Sequence, residues 1–286
     1  MTAMDQNKND LQNDPEAIAR LRASIELKPW EAFVTLYMRE MARFLKVIVQ
    51  TVFTPLINSA LYLLIFGVSL GSRITLDHPV SYLAFLIPGL VMMSVMNNAF
   101  QNSSSSIVSG KFSGDLEDLK VVPLTSQAIV WAYSIGGLTR GLMVGAITLL
   151  VGEVFLRLVE GQFVAIAHPA ALLFFLAVGG LLFAKLGIAV AFWVKSFDQM
   201  SAVGSFILLP LIYLGGVFFS LGSLHPFWIK VSHLNPVLYL INGVRYGFLG
   251  VSDVDVLTAA VVSLVGLLVF HVLSLRALKS GNFGRW

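Results

Sequence analysis

HLNPVLYLINGVRYGFLG, running from His233 to Gly250, is apolar enough for a membrane interior and too short to cross one. About fifteen helical residues rise ~22 Å, whereas a bilayer core is ~30 Å thick and takes roughly 20 residues to span. Asn235 before Pro236 is a helix start, with Asn as the cap and Pro at the first helical position. Arg245 then falls in the middle of the segment, where a lipid-exposed charge would be costly. Whether this stretch is a span, an external loop or something between the two decides the topology of the chain.

Its surroundings decide the matter. Hydrophobic runs of spanning length lie at about 47–70, 81–103, 126–152, 169–194, 201–219 and 255–275. Lys and Arg bias in the short loops sets the orientation. With the N-terminus inside, Lys8, Arg20, Arg22, Lys28, Arg39, Arg43, Lys46, Lys111, Lys120, Lys195, Arg276, Lys279 and Arg285 share the inner side. The outer side holds Arg73, Arg157, Lys230 and Arg245. A seventh span at 236–250 would put Arg276, Lys279 and Arg285 outside, against that bias. The segment therefore reads as a helix that enters the outer leaflet and returns, joined to the fifth span through FSLGSLHPFWIKVS. Backbone that enters and leaves must be covered by protein or face a water-filled cavity. Arg245 is then expected to anchor an outer gate with access to headgroups or water, with Asp253 and Asp255 as candidate partners.

The resulting fold class is an all-α polytopic membrane protein. It has six transmembrane helices, both termini cytoplasmic, and a reentrant outer-leaflet region at about 220–250. The composition agrees: of 286 residues 57% are hydrophobic and 12% charged, and mean hydropathy is +0.81, far from soluble averages. The net charge of +3 is spread over membrane flanks and forms no patch with interleaved aromatics, which argues against nucleic acid. With no cysteine, disulfides, thiolate metal sites and a Cys nucleophile are excluded. The polar head, residues 1–28, lacks the apolar core of a signal peptide and is expected to be a partly disordered cytosolic tail; residues 281–286 form a cytosolic C-terminus. From residue 30 to 44, Trp30, Phe33, Val34, Tyr37 and Met41 recur at helical spacing, with Glu31, Arg39, Glu40 and Arg43 on other faces. That pattern fits a helix lying on the cytosolic membrane surface.

No enzyme site emerges. SGKFSG at 109–114 lacks the upstream Gly and following Ser or Thr of a phosphate-binding loop, so the chain supplies no evident ATPase. The five histidines sit singly, and no metal is expected. The loop KFSGDLEDLKVVPLTS is more informative. Ser113 or Gly114 can start a short helix over about 113–122; Asp115, Glu117 and Asp118 suit its N-terminal dipole, and Pro123 stops it. Leu116 and Leu119, three apart, leave one apolar ridge that either faces a partner or belongs to an ordinary surface helix.

Within the spans, Arg140 lies near the middle of the third and Lys185 past the middle of the fourth. A cation at the bilayer centre costs roughly 2.5 to 3.5 kcal/mol, so such residues face a bundle interior or an aqueous path. Arg140 is either a structural hydrogen-bonding group or a substrate contact, and Lys185 either joins the translocation path or snorkels. Gly137, Gly141 and Gly145 leave a smooth face beside Arg140 for close helix packing. Asn98, Gln101, Asn102 and Ser105 form a polar stripe on the second span that either lines a substrate entrance or bonds between helices. Pro55, Pro88 and Pro210 are candidate kinks, with Thr51, Thr54 and Ser94 placed to satisfy freed backbone groups.

Together IPGLVMMSVMNNAF, GGLTRGLMVG, LPLIYLGGVFFSL and HLNPVLYLINGVRYGFLG resemble the permease subunits of ABC-2 type transporters, in their YadH- and NodJ-like branch. The resemblance covers roughly residues 30–275, and the spacing of Pro236, Tyr239 and Arg245 matches the family's C-terminal signature. It implies a permease that pairs with a second copy, or with a related permease, and with two cytosolic ATP-binding subunits. ATP and Mg would sit on those partners, with no cofactor on this chain. The implied activity is export of a lipid, polysaccharide or drug-like molecule across the inner membrane. The loop at Asp115, Leu116, Glu117, Asp118 and Leu119 would be the coupling helix seated in the ATPase. Two other classes are weaker on the residues: an ion-coupled secondary transporter using Arg140 and Lys185 lacks intramembrane carboxylates, and an integral-membrane transferase lacks an acid, base or metal cluster.

Overall fold

The computed structural model describes residues 29–71, 74, 76, 79–120 and 124–280, Lys120 by its backbone alone. The polar head, Arg73, Pro123 and the last six residues lie outside that set. No strand occurs among the described residues. The helices are α1 Pro29–Leu45, α2 Ile48–Ser69, α3 Tyr82–Ser113, α4 Ser126–Glu160, α5 Pro169–Trp193, α6 Phe197–Tyr213, α7 Pro226–His233, α8 Pro236–Leu249 and α9 Val256–Ser280. Five of them, α2, α3, α4, α5 and α9, are long and apolar enough to cross a membrane. α6 has 17 residues, a rise of about 25 Å, and stops short of the run to residue 219 expected of a fifth span.

α3 is the central helix, enclosed by α4, α5 and α8, while α9 covers α5 and α8 and α2 leans on α4. The Gly face of α4 makes the α3–α4 approach possible. A Cβ at Gly141 would stand 2.7 Å from the Val95 carbonyl oxygen, and one at Gly137 2.6 Å from Ser103 Oγ. Gly141→Leu is therefore expected to destabilise the bundle by about 1 to 3 kcal/mol, the usual penalty for overpacking. A melt of the purified protein indistinguishable from wild type would rule out that packing.

Two helices change winding at the edge of the bundle. α2 runs as α-helix over Ile48–Tyr62 and widens to a π-helix over Leu63–Ser69; α6 is widened over Gly204–Leu208, just before Pro210. Thr51 does not satisfy the backbone freed by Pro55, because its buried Oγ1 has no hydrogen-bond partner. Ser94 Oγ instead accepts from Thr148.

The segment around Arg245 is held from every side. Asn235 Oδ1 accepts from Val237 N at 3.0 Å and its Nδ2 donates to Leu211 O at 2.6 Å, so one side chain caps α8 and ties it to α6. The far end of α8 is bonded by the entry to α5, Ala167 N and His168 N donating to the carbonyls of Phe248 and Gly247 at 2.9 Å. Arg245 itself is fully buried, which corrects the expected access to headgroups or water. Its guanidinium lies on the Phe85 ring, 3.7 Å from the centroid, and donates to Gly216 O at 2.7 Å and Asn242 Oδ1 at 3.3 Å. Asp253 faces it at 3.8 Å. Asp255 does not: it caps α9, accepting from the backbone N and then the hydroxyl of Thr258, bonds that hold its carboxyl below the usual range. Pro236 and Tyr239 are half-buried, and the Tyr239 hydroxyl donates to His233 O at 3.0 Å.

Candidate functional site

A cavity of about 670 Å³ opens between α2, α3, α4 and α6. Asn97, Asn98 and Gln101 line it from α3, Thr51 and Asn58 from α2, Ser201 and Ser205 from α6, and Arg140 from α4. The helices supply these groups because α3 turns one polar stripe toward α2 while its other faces carry the core. Among the described residues Arg140 is the one charged group in the lining. Among the described residues it makes no hydrogen bond or ion pair, and its Nε is buried without a partner. At the opposite end of the cavity the hydroxyls of Tyr62 and Tyr213 meet at 3.0 Å and close α2 against α6.

The structure separates residues the sequence had grouped. Asn98, Gln101 and Arg140 share the cavity, but Asn102 is buried beside it, its Oδ1 and carbonyl accepting from Arg43 at 2.9 and 2.8 Å. Lys185 is elsewhere and does not snorkel. It is fully buried, its Nζ 3.8 Å from the Trp131 ring centroid and 3.4 Å from Ser134 Oγ, a structural position between α4 and α5.

α1 also departs from its expected pattern. Its inward face is Ala32, Leu36, Glu40 and Phe44, so Glu40 and Arg43 turn toward the bundle rather than away from it. Glu40, 1% exposed, accepts from Ser106 Oγ at 2.7 Å and pairs with Arg43 at 3.2 Å. Arg43 reaches Ser105 at 3.3 Å, and Arg39 donates to the Tyr133 hydroxyl at 3.0 Å. This network fastens α1 to the ends of α3 and α4. The i,i+3 spacing of Glu40 and Arg43 was the available signal, masked by the assumption that charges on a surface helix face water.

The loop after α3 is corrected as well. Ser113 ends α3 instead of starting a new helix, and Gly114 caps it at φ 88°, a left-handed conformation natural to glycine. Beyond Gly114 the chain makes a single tight turn over Glu117–Lys120. Leu116 and Leu119 are buried at 1% and 6% exposure against the chain's own Leu36, Ile107 and Ile129, so their ridge faces inward rather than toward a partner. Asp115, Glu117 and Asp118 are exposed. Nearby, Lys111 Nζ donates to the carbonyls of Ala191 and Phe192 at 2.7 and 3.1 Å, tying α3 to the last turn of α5. No cluster of three metal-ligating side chains occurs among the described residues.

The cavity is polar, and three of the helices that wall it, α2, α3 and α4, are of membrane-spanning length. Residues 31–249 match the model of the ABC-2 type transporter family. The chain belongs to that family. It is 39% identical over 253 residues to the inner membrane transport permease YadH of Escherichia coli K12, covering 88% of this chain and 96% of that one. Nodulation protein J of Neorhizobium galegae is 25% identical over 219 residues, 76% of this chain and 81% of its own. That of Sinorhizobium fredii is 23% identical over 227 residues, 79% and 84% of the two chains. The family match spans α1 through α8 and so contains every wall of the cavity. Pro236, Tyr239 and Arg245 lie on one helix, α8, and are not among the residues that line the cavity.

Proposed function

We propose that this chain is the permease subunit of an ATP-driven exporter in the inner membrane, and that the cavity around Arg140 is its share of the substrate path. The observation that carries this reading is the cavity itself, with amides and hydroxyls on three sides, set among apolar helices of which α2, α3 and α4 are long enough to cross a membrane. Polar side chains in such helices face a bundle interior or a water-filled cavity, not lipid. Both termini lie in the cytoplasm, α7 and α8 turn back within the outer leaflet, and the open side of the cavity faces a second permease across the dimer axis. A separate cytosolic ATPase holds ATP and Mg and engages the acidic turn at Asp115, Glu117 and Asp118.

Closure of the ATPases moves that turn, and Leu116 and Leu119 pass the motion to α1, α3 and α4 because they are rooted in that cluster. Nucleotide shifts the equilibrium only by binding the two states unequally, so the turn must sit differently in each. The widened segments of α2 and α6 flank the cavity, and the Tyr62–Tyr213 contact holds its far end shut.

The natural absence of cysteine makes a direct test simple. Single cysteines at Asn98 and Gln101 are expected to react with a water-soluble thiol reagent in membranes, whereas one at Leu150, 66% exposed on the outside of α4, is not. Reactivity at Asn98 and Gln101 should change on adding ATP when a partner ATPase that co-purifies with this chain is co-expressed. Failure of both positions to label in every condition would sink the path.

A further inference from the structure

Three features of the cavity are unexplained by a neutral water-filled path. The first is an uncompensated cation. Arg140 lines the cavity with no carboxylate among the described lining residues, whereas the fully buried cations have acceptors: Arg245 has Asp253 and Gly216 O, Lys111 has two carbonyls, and Lys185 has Ser134 Oγ. A guanidinium left unpaired in a partly desolvated site is costly unless something anionic joins it. The second is another orphan. Thr51 is 3% exposed, lines the same cavity from α2, and its Oγ1 has no partner. A hydroxyl and a guanidinium, contributed from two helices and both unsatisfied, are donors for a phosphate or carboxylate oxygen. The third is the shape beyond the tyrosine pair. Tyr62 and Tyr213 also line an adjoining groove of about 300 Å³, whose other walls are Phe66, Leu214, Phe218 and Phe219, carbon-rich side chains throughout.

We propose that, with the Tyr62–Tyr213 contact between them parted, the cavity and groove together bind an amphiphile by its two ends, an anionic phosphate or carboxylate head on Arg140 and Thr51 and an apolar tail along Phe66 and Phe218. This rests on the cavity being the substrate path and names the class of substrate the path accepts. This chain's share of the cavity, about 670 Å³, is large enough for a head of small-molecule size, since ligand sites of this kind run about 300 to 1,000 Å³. The Arg guanidinium supplies the bidentate fork that suits such a head, and the neutral amides of Asn97, Asn98 and Gln101 hydrogen-bond it without competing charge. Arg43 cannot take the role, because Glu40 and the Asn102 carbonyl already hold it.

The test is competition binding to the full-length protein in neutral maltoside micelles, with a tail-labelled fluorescent phosphatidylglycerol as the probe. Unlabelled phosphatidylglycerol and oleate are expected to displace it at least about tenfold more tightly than phosphatidylcholine or inorganic phosphate, the scale of hydrogen bonds to a charged group. Arg140→Gln is expected to remove that preference and Arg140→Lys to keep part of it. Gln101→Glu places a like charge at an exposed position of the lining and should weaken the anionic probe about tenfold while Arg140 stays in place. Equal displacement by phosphatidylcholine and phosphatidylglycerol, or affinity unchanged within about twofold in both Arg140→Gln and Gln101→Glu, overturns the proposal. Inorganic phosphate competing as tightly as phosphatidylglycerol overturns it too, since the tail would then contribute nothing. Labelling of cysteines at Asn98 and Gln101 reads separately: positive labelling with no anion preference leaves the path standing and removes only the substrate class.

Discussion

Replacing Arg245 by alanine is expected to lower the stability of the purified permease by about 3 to 5 kcal/mol, because it removes a fully buried guanidinium from a hydrogen-bonded cluster and leaves its buried acceptors without their donor. Asp253 is held by Ser220 Oγ at 2.6 Å and by Leu221 N at 3.1 Å, so it stays in place when the guanidinium goes. The Gly216 carbonyl loses its donor at the same time, and the turn that returns the chain from α6 loses its tie to α8. Arg245→Lys restores the charge but not the planar group that stacks on Phe85 while donating to Gly216 and Asn242, so it should recover only part of the loss. A double-mutant cycle sharpens the result. Arg245→Met should cost more alone than when Asp253→Asn accompanies it, since the second change removes the carboxylate that faces the guanidinium. Thermal or detergent unfolding that places Arg245→Ala within about 1 kcal/mol of wild type would mean the cluster does not hold the fold together.

That cluster also shows what the sequence can and cannot reveal. Asn235 and Pro236 were legible as the start of α8 because capping is local: an Asn, a Pro and the next backbone amide suffice. The shortness of α8 was legible for the same reason. The burial of Arg245 was not, because the elements that cover it come from Phe85 on the central helix and from the turn at Gly216. Positive-inside counting had placed the residue on the outer side, and an outer position suggested water. Leu116 and Leu119 give the complementary case. Their spacing announced an apolar ridge, yet spacing carries no information about which body the ridge meets, and the answer was the chain's own α1, α3 and α4. Arg140 could be singled out from its depth in an apolar run. The cavity it enters depends on the polar face of α2, where Thr51 and Asn58 sit among exposed apolar residues and show no conspicuous pattern.

The burial of those leucines gives the acidic turn its sharpest test. On the proposed function, changing Asp115, Glu117 and Asp118 together to lysine is expected to reduce co-purification of a partner ATPase at least about tenfold and to bring ATP-driven transport to background, because the charge complementarity that this docking requires is inverted. The permease alone should melt as wild type does within about 1 kcal/mol, since exposed substitutions away from caps and cores cost little. Asp115 accepts from Ser113 Oγ at 2.7 Å in an exposed contact, too little to hold the turn by itself. Leu116→Ala predicts the reverse pattern. It removes a buried side chain from the cluster with Leu36 and Ile107, lowers stability by about 2 to 5 kcal/mol, and leaves the acidic surface able to bind ATPase. ATP hydrolysis in that complex should proceed while transport falls, because the turn is no longer fastened to the helices it must move. Separation of the two phenotypes, binding lost with the acids and coupling lost with the leucine, is what a lever with an outer contact and an inner root requires. A triple lysine variant that still binds its ATPase and transports normally would place the docking surface elsewhere on the cytosolic face.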